Sequence, residues 1–437
     1  MKKILILLMI LGLTSVSLFS QVNFSGSADI AFTANIPEAA DYSSIFDPVG
    51  QPNVMGLKDI GISSSFIAKL DAGDEKTTFS AWFALKEYPI GQALLAAAYD
   101  VAEDFPTFSP EYLAVGDLVA VTGDTIFSLD LMRLSTNVYL SDNFSMEVGR
   151  QSMLTGYGYG WNPIDFANPL KNPTDPDAAM RGVDGLSFKI YMGNIAALKI
   201  YGILPRDILT SGLDFEEIKT GGELTFNFPG FEWKLAGFYD YDNSAGSDAY
   251  TPSIGTGFMA DLFGIGFYGE GALRKGSRNN FTDGGAGLSR KSEWLFSALA
   301  GLEYTFGFEL YAVLEYFYNG EGYNKAERSL FEASLTALGG TSDLFSIYSP
   351  GYFAQHYIMI NLMQPLYDIN TDLNFSAMFS PDSGALTLMP SVMYSFSANF
   401  SGQLAYVGMF DLYSSDFSEV TGLPVKHVIN TVFTYSY

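Results

Sequence analysis

Apolar and polar side chains alternate along most of the chain after residue 21. A strand with one apolar face is the element that produces a period of two. The alternating segments run roughly ten to fourteen residues, the length of a strand crossing a membrane at a tilt. About eighteen of them follow one another, near 22–34, 56–71, 75–86, 125–141, 143–152, 183–192, 194–203, 219–229 and 231–242. The series continues at 250–263, 265–276, 292–306, 308–320, 352–366, 370–380, 384–396, 398–411 and 425–437.

Connection lengths alternate too. After every second segment the link is a few residues, such as Asp142, Gly193, Gly264 or Gly307. The intervening links are mostly long, at 36–55, 87–124, 152–182, 205–217, 277–291, 321–351 and 414–423, with 381–384 a short exception. Outer-membrane barrels are built with such short inner turns and long outer loops. The pattern therefore predicts an all-β fold: a transmembrane antiparallel up-and-down β-barrel of 16 to 18 strands, occupying 21–437. Alternation slips near Met132–Arg133, which predicts a bulge. Two long links carry helical spacing: Ile90, Leu94, Ala98, Val101 and Phe105 in one, and Leu330, Phe331, Leu335 and Leu338 before Gly339 in the other. Apolar helical stripes are usually packing faces, here against the barrel mouth, with inward narrowing of the lumen as the alternative.

Residues 1–20, with Lys2, Lys3 and an apolar run from Ile4 to Leu13, have the layout of a secretory signal peptide. Cleavage near Ser20 removes both lysines and takes the formal charge from −25 to −27. Such acidity argues against a nucleic-acid partner, whose phosphates need a basic face. The chain has no cysteine, so disulfides and a lipid-modified cysteine are both excluded. The expected partners are the outer-membrane bilayer, small polar solutes, and the barrel-insertion machinery. For that machinery the last strand offers Phe433, Tyr435 and Tyr437 on one face, an arrangement that resembles the C-terminal β-signal of outer-membrane barrels.

Alternation also assigns faces. Trp294, Phe296, Ala298, Ala300, Leu302, Tyr304 and Phe306 fall on one side, and Glu293, Ser297 and Glu303 on the other. A charge on the lipid face costs about 2–4 kcal/mol at the midplane, so charged positions are expected inside. The inward set comprises Asp130, Glu147, Glu223, Glu232, Asp240, Glu270, Glu293, Glu303, Glu309 and Glu315, against Lys69, Lys189, Lys199, Lys234 and Arg274. Either the lumen is acidic and favours cations or neutral solutes, or pairs such as Glu232 with Lys234 and Glu270 with Arg274 neutralise much of it.

The link from 152 to 182 is too rich in glycine and proline for regular structure. Loops of that length inside an ordered domain are usually functional. Tyr157, Tyr159 and Trp161 alternate with glycines, and Arg150, Gln151, Asp165, Arg181 and Asp184 complete the candidate constriction and selectivity set. Arg181 is placed to clamp Asp165 or Asp184. The three aromatic rings either pack the loop on the inner wall or offer faces to a sugar. Asn172, Thr174, Asp175 and Asp177 offer oxygen atoms but match no full calcium loop.

The run Gly149-Arg150-Gln151, then Gly158, Gly160, Trp161-Asn162-Pro163, Asp165, Asn168-Pro169 and Arg181-Gly182-Val183-Asp184 resembles a motif of porin-like bacterial outer-membrane barrels. The resemblance implies a porin, with the loop as constriction. His356 and His427 are the only histidines, and neither has triad or zinc-ligand spacing, so no catalytic residue, metal or cofactor is expected. Two other functions stay open: a substrate-specific transporter for saccharides or hydrophobic compounds, and a surface adhesin or structural barrel with an occluded lumen. A hydrophobic-compound transporter generally needs an N-terminal hatch, which a first strand starting near Val22 disfavours.

Overall fold

The computed structural model describes residues 21–37, 59–89, 118–122, 125–178, 180–204, 218–242, 249–285, 287–338, 351–413, 416–421, 423 and 425–437. The expected signal peptide, the helical spacing from Ile90 to Phe105, and Gly339 lie outside these residues.

The strands are β1 (Gln21–Pro37), β2 (Ile60–Gly73), β3 (Thr77–Pro89), β4 (Leu118–Thr122), β5 (Thr125–Ser141), β6 (Phe144–Gln151), β7 (Val183–Met192), β8 (Ala196–Ile203), β9 (Lys219–Phe228), β10 (Phe231–Asp242) and β11 (Ala249–Leu262). They continue as β12 (Ile265–Lys275), β13 (Phe281–Thr282), β14 (Leu288–Ser289), β15 (Trp294–Thr305), β16 (Tyr311–Tyr318), β17 (His356–Leu366), β18 (Thr371–Phe379), β19 (Ala385–Ser395), β20 (Phe400–Asp411) and β21 (Val425–Ser436). Eighteen of them pair antiparallel around a closed ring, with β3 on β5, β12 on β15, and β21 back on β1. The other three are additions at the long-loop end. β4 pairs along Thr125–Leu129 of β5, and β13 and β14 form a two-residue ladder.

Closure leaves no sheet edge in the ring. At the seam Gly26 and Tyr437 exchange both backbone hydrogen bonds at 3.1 Å. The Tyr437 ring lies over Gly26 between Phe24 and Phe66. A side chain at residue 26 would have no room there.

The outward face is predominantly apolar. Val22, Phe24 and Ile30 of β1, Ile60 and Phe66 of β2, and Trp294, Phe296 and Leu302 of β15 are exposed. Their strand neighbours Ser65, Ser297 and Leu299 are half-buried or buried.

The slip at Met132 is a bulge. Trp82 faces Arg133 and Phe83 faces Leu131, so Met132 is the extra residue. One alternation-based assignment fails. Glu309 is not in the wall but in the turn before β16, exposed and left-handed at φ 71°. The turn is closed by Phe306 N–H to Leu310 and Glu309 N–H to Phe306, both 2.8 Å, and uses residues that the alternating pattern had given to a strand.

The helix expected around Leu330–Leu338 is α1 (Lys325–Leu338). It opens on a reciprocal capping box: Asn324 N–H donates to Glu327 at 2.9 Å, and Glu327 N–H to the Asn324 side chain at 3.1 Å. Its buried Phe331 and Leu335 pack with Phe281, Tyr323, Phe353 and Phe417. These residues make a cap at the long-loop end, and Leu330 stays exposed.

Candidate functional site: a loop folded inside the barrel

The connection from β6 to β7 turns inward and lies along the inner wall. The first reason is local. Gly149 has φ 114°, and a Cβ there would sit 2.2 Å from the Leu134 carbonyl oxygen, so the β6 backbone bends as only glycine permits. Gln151, fully buried, then donates from Nε2 to the carbonyls of Glu147 and Gly185, while its oxygen accepts from Ser187 at 2.7 Å. At the far end Gly182 N–H donates to the bulge carbonyl of Met132 at 2.9 Å. Both ends of the loop are therefore fixed at one place on the wall.

The Tyr157–Trp161 stretch docks through its main chain. Glu270 of β12 accepts the N–H groups of Tyr157 and Gly158, and of Ile164 at 3.3 Å. Glu315 of β16 accepts Tyr159 N–H, Gly160 N–H at 2.7 Å and the Tyr268 hydroxyl at 2.8 Å. Backbone amides solvate both carboxylates, and neither has a cation within ion-pair distance among the described residues. The glycines make this approach possible. A Cβ on Gly160 would lie 2.6 Å from the Met359 sulfur and 3.1 Å from Glu315, and one on Gly158 would overlap the Trp161 carbonyl.

Trp161 is the apolar anchor. It is fully buried, stacks on Phe317 at 5.2 Å and Tyr357 at 5.6 Å, and donates from its indole to Gly351 O at 2.9 Å. It has no face free for a sugar. Tyr157 and Tyr159 are only half-buried. Their hydroxyls donate to Glu232 at 2.7 Å and to Asp177 at 2.9 Å, and Lys234 and Lys171 sit over the respective rings. Burial, together with these acceptors, raises both tyrosine pKa values.

The second half of the loop is tied to the first by Asp165 and Asn168. Asn168 donates its backbone and side-chain N–H groups to Asp165, and its own oxygen accepts Met153 N–H at 3.2 Å. Burial pushes the Asp165 carboxyl up to about 6, against hydrogen bonds from Asn168, Ala167 and Thr155. The candidate calcium segment is an Asx turn. Asn172 accepts both the N–H and the hydroxyl of Thr174. Among the described residues no cluster of three or more His, Asp or Glu side chains could hold a metal ion. Asp175, raised by burial and by Asp177, also feels the charge of Lys86 on β3.

The expected clamp is made by a different arginine. Arg150 forks Asp184 at 2.9 and 2.7 Å, on the face of the sheet that carries Val148 and Leu186. Arg181 instead lies 3.4 Å from Asp130. Asp165 is buried in the Asn168 knot, out of the clamp. The expected pair of Glu270 with Arg274 is also absent. Arg274 goes to Asp240 at 3.3 Å; Glu270 is four residues away along β12, about 13 Å, and accepts loop amides instead. Lys234 does approach Glu232, at 3.5 Å, and reaches Glu223 at 4.0 Å. Glu303 accepts the Tyr311 hydroxyl, and Glu293 is exposed outside the strands. Much of the acidic charge counted along the strands is thus paired or covered by the loop.

Several residues that build the site carry no obvious signal in sequence. Glu419 at the long-loop end accepts Gly351 N–H and the Tyr357 hydroxyl, both at 2.9 Å, so the cap meets the Trp161 pocket. On the inner wall Trp82 lies between Lys69 at 4.7 Å and Arg133 at 4.0 Å. The histidines are on the outward face, each with Nδ1 2.7 Å from a tyrosine hydroxyl: His356 with Tyr316, and His427 with Tyr406.

A closed 18-stranded antiparallel barrel holding an in-folded loop is a porin-like architecture. No family model and no curated protein matches the chain. Solved structures similar to it include OmpF of Salmonella typhi in complex with daunomycin, at 11% identity and TM-score 0.44, covering 95% of this chain and 97% of that one. A mutant of the Rh. blastica porin is similar at 12% identity and TM-score 0.44, covering 95% of this chain and all of the other. The fold assignment itself rests on the strand pairing described above.

Proposed function

We propose that the chain is an outer-membrane porin, a water-filled channel through which small hydrophilic solutes diffuse, with the 152–182 loop as its constriction. The position of that loop carries the reading: about thirty residues lie against the inner wall, bolted to Glu270 and Glu315 by their own amides. An apolar outward band and a closed ring of backbone hydrogen bonds suit a hydrocarbon environment. The short turns then face the periplasm, the cap faces outward, and Phe433, Tyr435 and Tyr437 serve barrel insertion.

The charge preference is weak. Glu270, Glu315, Asp130 and Asp240 are buried or paired. Loop acids such as Asp177 leave a slight bias toward cations and neutral solutes. No step of this function needs a catalytic group.

The test is single-channel recording of the refolded chain in planar bilayers under a salt gradient. Steady steps with a small cation-selective reversal potential, and larger steps after deletion of 156–177, support the porin. A silent chain that conducts after the deletion makes the loop a plug. Silence in both sinks the porin and favours an adhesin or structural barrel.

A further inference from the structure

We infer that the cavity on the short-turn side of the loop is a binding site for a small hydroxylated monocarboxylate. This rests on reading the barrel interior as a solute path. The cavity measures about 550 Å³ and is lined by strands β7 to β10, with Leu154 of the loop beside it. That volume suits a small molecule.

Its charges are unusual. Lys189 of β7 and Lys199 of β8 are direct cross-strand partners, both lining the cavity. Like charges placed opposite each other destabilise a sheet. Neither lysine has a carboxylate within ion-pair distance among the described residues. Their ammonium groups lie instead over rings of their own strands, Lys189 over Tyr191 at 4.9 Å and Lys199 over Tyr201 at 6.0 Å. Of the two glutamates of the lining, Glu223 is the direct partner of Lys199 across to β9 and shares its charge with Lys234 at 4.0 Å, while Glu232 lies 3.5 Å from Lys234. Glu232 also accepts the Tyr157 hydroxyl, and Glu223 the Thr225 hydroxyl. Charge from Glu147 and Asp165 reaches Lys199 from outside the lining.

Within the lining three lysines stand against two glutamates, and Lys189, whose direct cross-strand partners are Ser145 and Lys199, is the lysine with no carboxylate opposite it. A carboxylate placed between Lys189 and Lys199 would relieve their repulsion and gain charge-assisted hydrogen bonds. The neighbouring amides of Asn194 and Asn227 supply donors and acceptors for hydroxyl groups. The side chains of Leu154 and Tyr191 give the carbon skeleton an apolar surface.

The probe is sodium gluconate, with glucose as the neutral control, on the refolded full chain. Calorimetry in detergent micelles reads binding, and single-channel recording reads interruption of current. Gluconate should bind and block, with glucose weaker by about tenfold or more, the difference one charge-assisted contact makes. The Lys189→Gln/Lys199→Gln double variant should lose gluconate binding by a similar factor. It should melt at about the same temperature, because the Lys189–Lys199 repulsion goes together with the Lys199–Glu223 attraction. Equal binding of glucose and gluconate, or unchanged binding in the double variant, overturns the site. A conducting channel without gluconate heat refutes the site alone. Gluconate heat in a chain that never conducts refutes the porin reading and keeps the site.

Discussion

Inside the barrel, the 152–182 loop meets the wall mainly with its main chain, five amides on two carboxylates, and seats one indole between Phe317 and Tyr357. Above the mouth, the segments of the cap hold one another with side chains. Arg278 pairs with Glu321 at 3.3 Å, Lys291 with Glu327 at 2.7 Å, and Arg328 with Asp382 at 3.1 Å, around the aromatic cluster of Phe331, Phe353 and Phe417. The difference sets how firmly each part is placed. Amides are fixed along the backbone at short spacing, so two of them converging on one carboxylate fix the loop in position and orientation. Long side chains hold a pair only at an entropic cost, and those that keep contact with solvent, Lys291 with Glu327 and the Arg278 end of its pair, are screened, whereas Arg328 is buried.

The strongest perturbation of the inner region is Trp161→Ala. Loss of a buried tryptophan costs about 3–5 kcal/mol. That cost falls on loop docking, since no strand pair is touched. Single-channel conductance should rise and become noisy while the barrel's melting temperature changes little. Next comes Glu315. Glu315→Ala removes an acceptor of three hydrogen bonds and should free the Tyr159–Gly160 segment, whereas Glu315→Gln keeps one carbonyl and should lose about 1.5–3 kcal/mol of docking. Amide exchange at residues 157–161, faster in the Ala variant than in Gln, checks the order.

The pH response separates the regions further. Burial pushes Glu419 up to about 7, against hydrogen bonds from Gly351 and Tyr357. In the folded cap the carboxyl therefore keeps its proton through a range where an unfolded glutamate, near about 4.3, has lost it. The cap's stability should then fall as pH rises from that lower value to about 7, and level off above it. Glu419→Gln should flatten this slope, read as protease protection of the 412–424 segment across pH. The smallest effect is ionic. Raising salt from about 0.1 M to 1 M shortens the screening length from about 10 to 3 Å, which should loosen the cap by tenths of a kcal/mol per pair. Amide exchange in the inner loop should not respond.

The barrel was legible in the sequence because its two faces meet different surroundings, so alternation records every crossing. The Met132 bulge and α1 followed from breaks in the same periodicity. The loop's contacts did not. Alternation places Glu270 and Arg274 on one face, but four residues apart on a strand is about 13 Å, too far for an easy pair. It is blind to a loop more than a hundred residues earlier in sequence that supplies Glu270 with amides. Arg181 was expected at Asp165 or Asp184, and the direct cross-strand register gives Asp184 to Arg150 instead. One overlooked signal was present: glycine at every second position through Gly156, Gly158 and Gly160 is what a backbone needs to press its amides against a wall.

The central claim, that this loop lies inside the barrel, has a direct test in a chain without cysteine. A Cβ built on Gly255 of β11 falls 3.1 Å from the Cβ of Ile164. Disulfides need about 3.5–4.5 Å, a small adjustment. The Ile164→Cys/Gly255→Cys double variant should oxidise to an intramolecular cross-link, visible as a mass loss and a gel shift that reductant reverses. Two thiols that stay free under oxidant in the folded barrel would place the loop away from β11 and contradict the account.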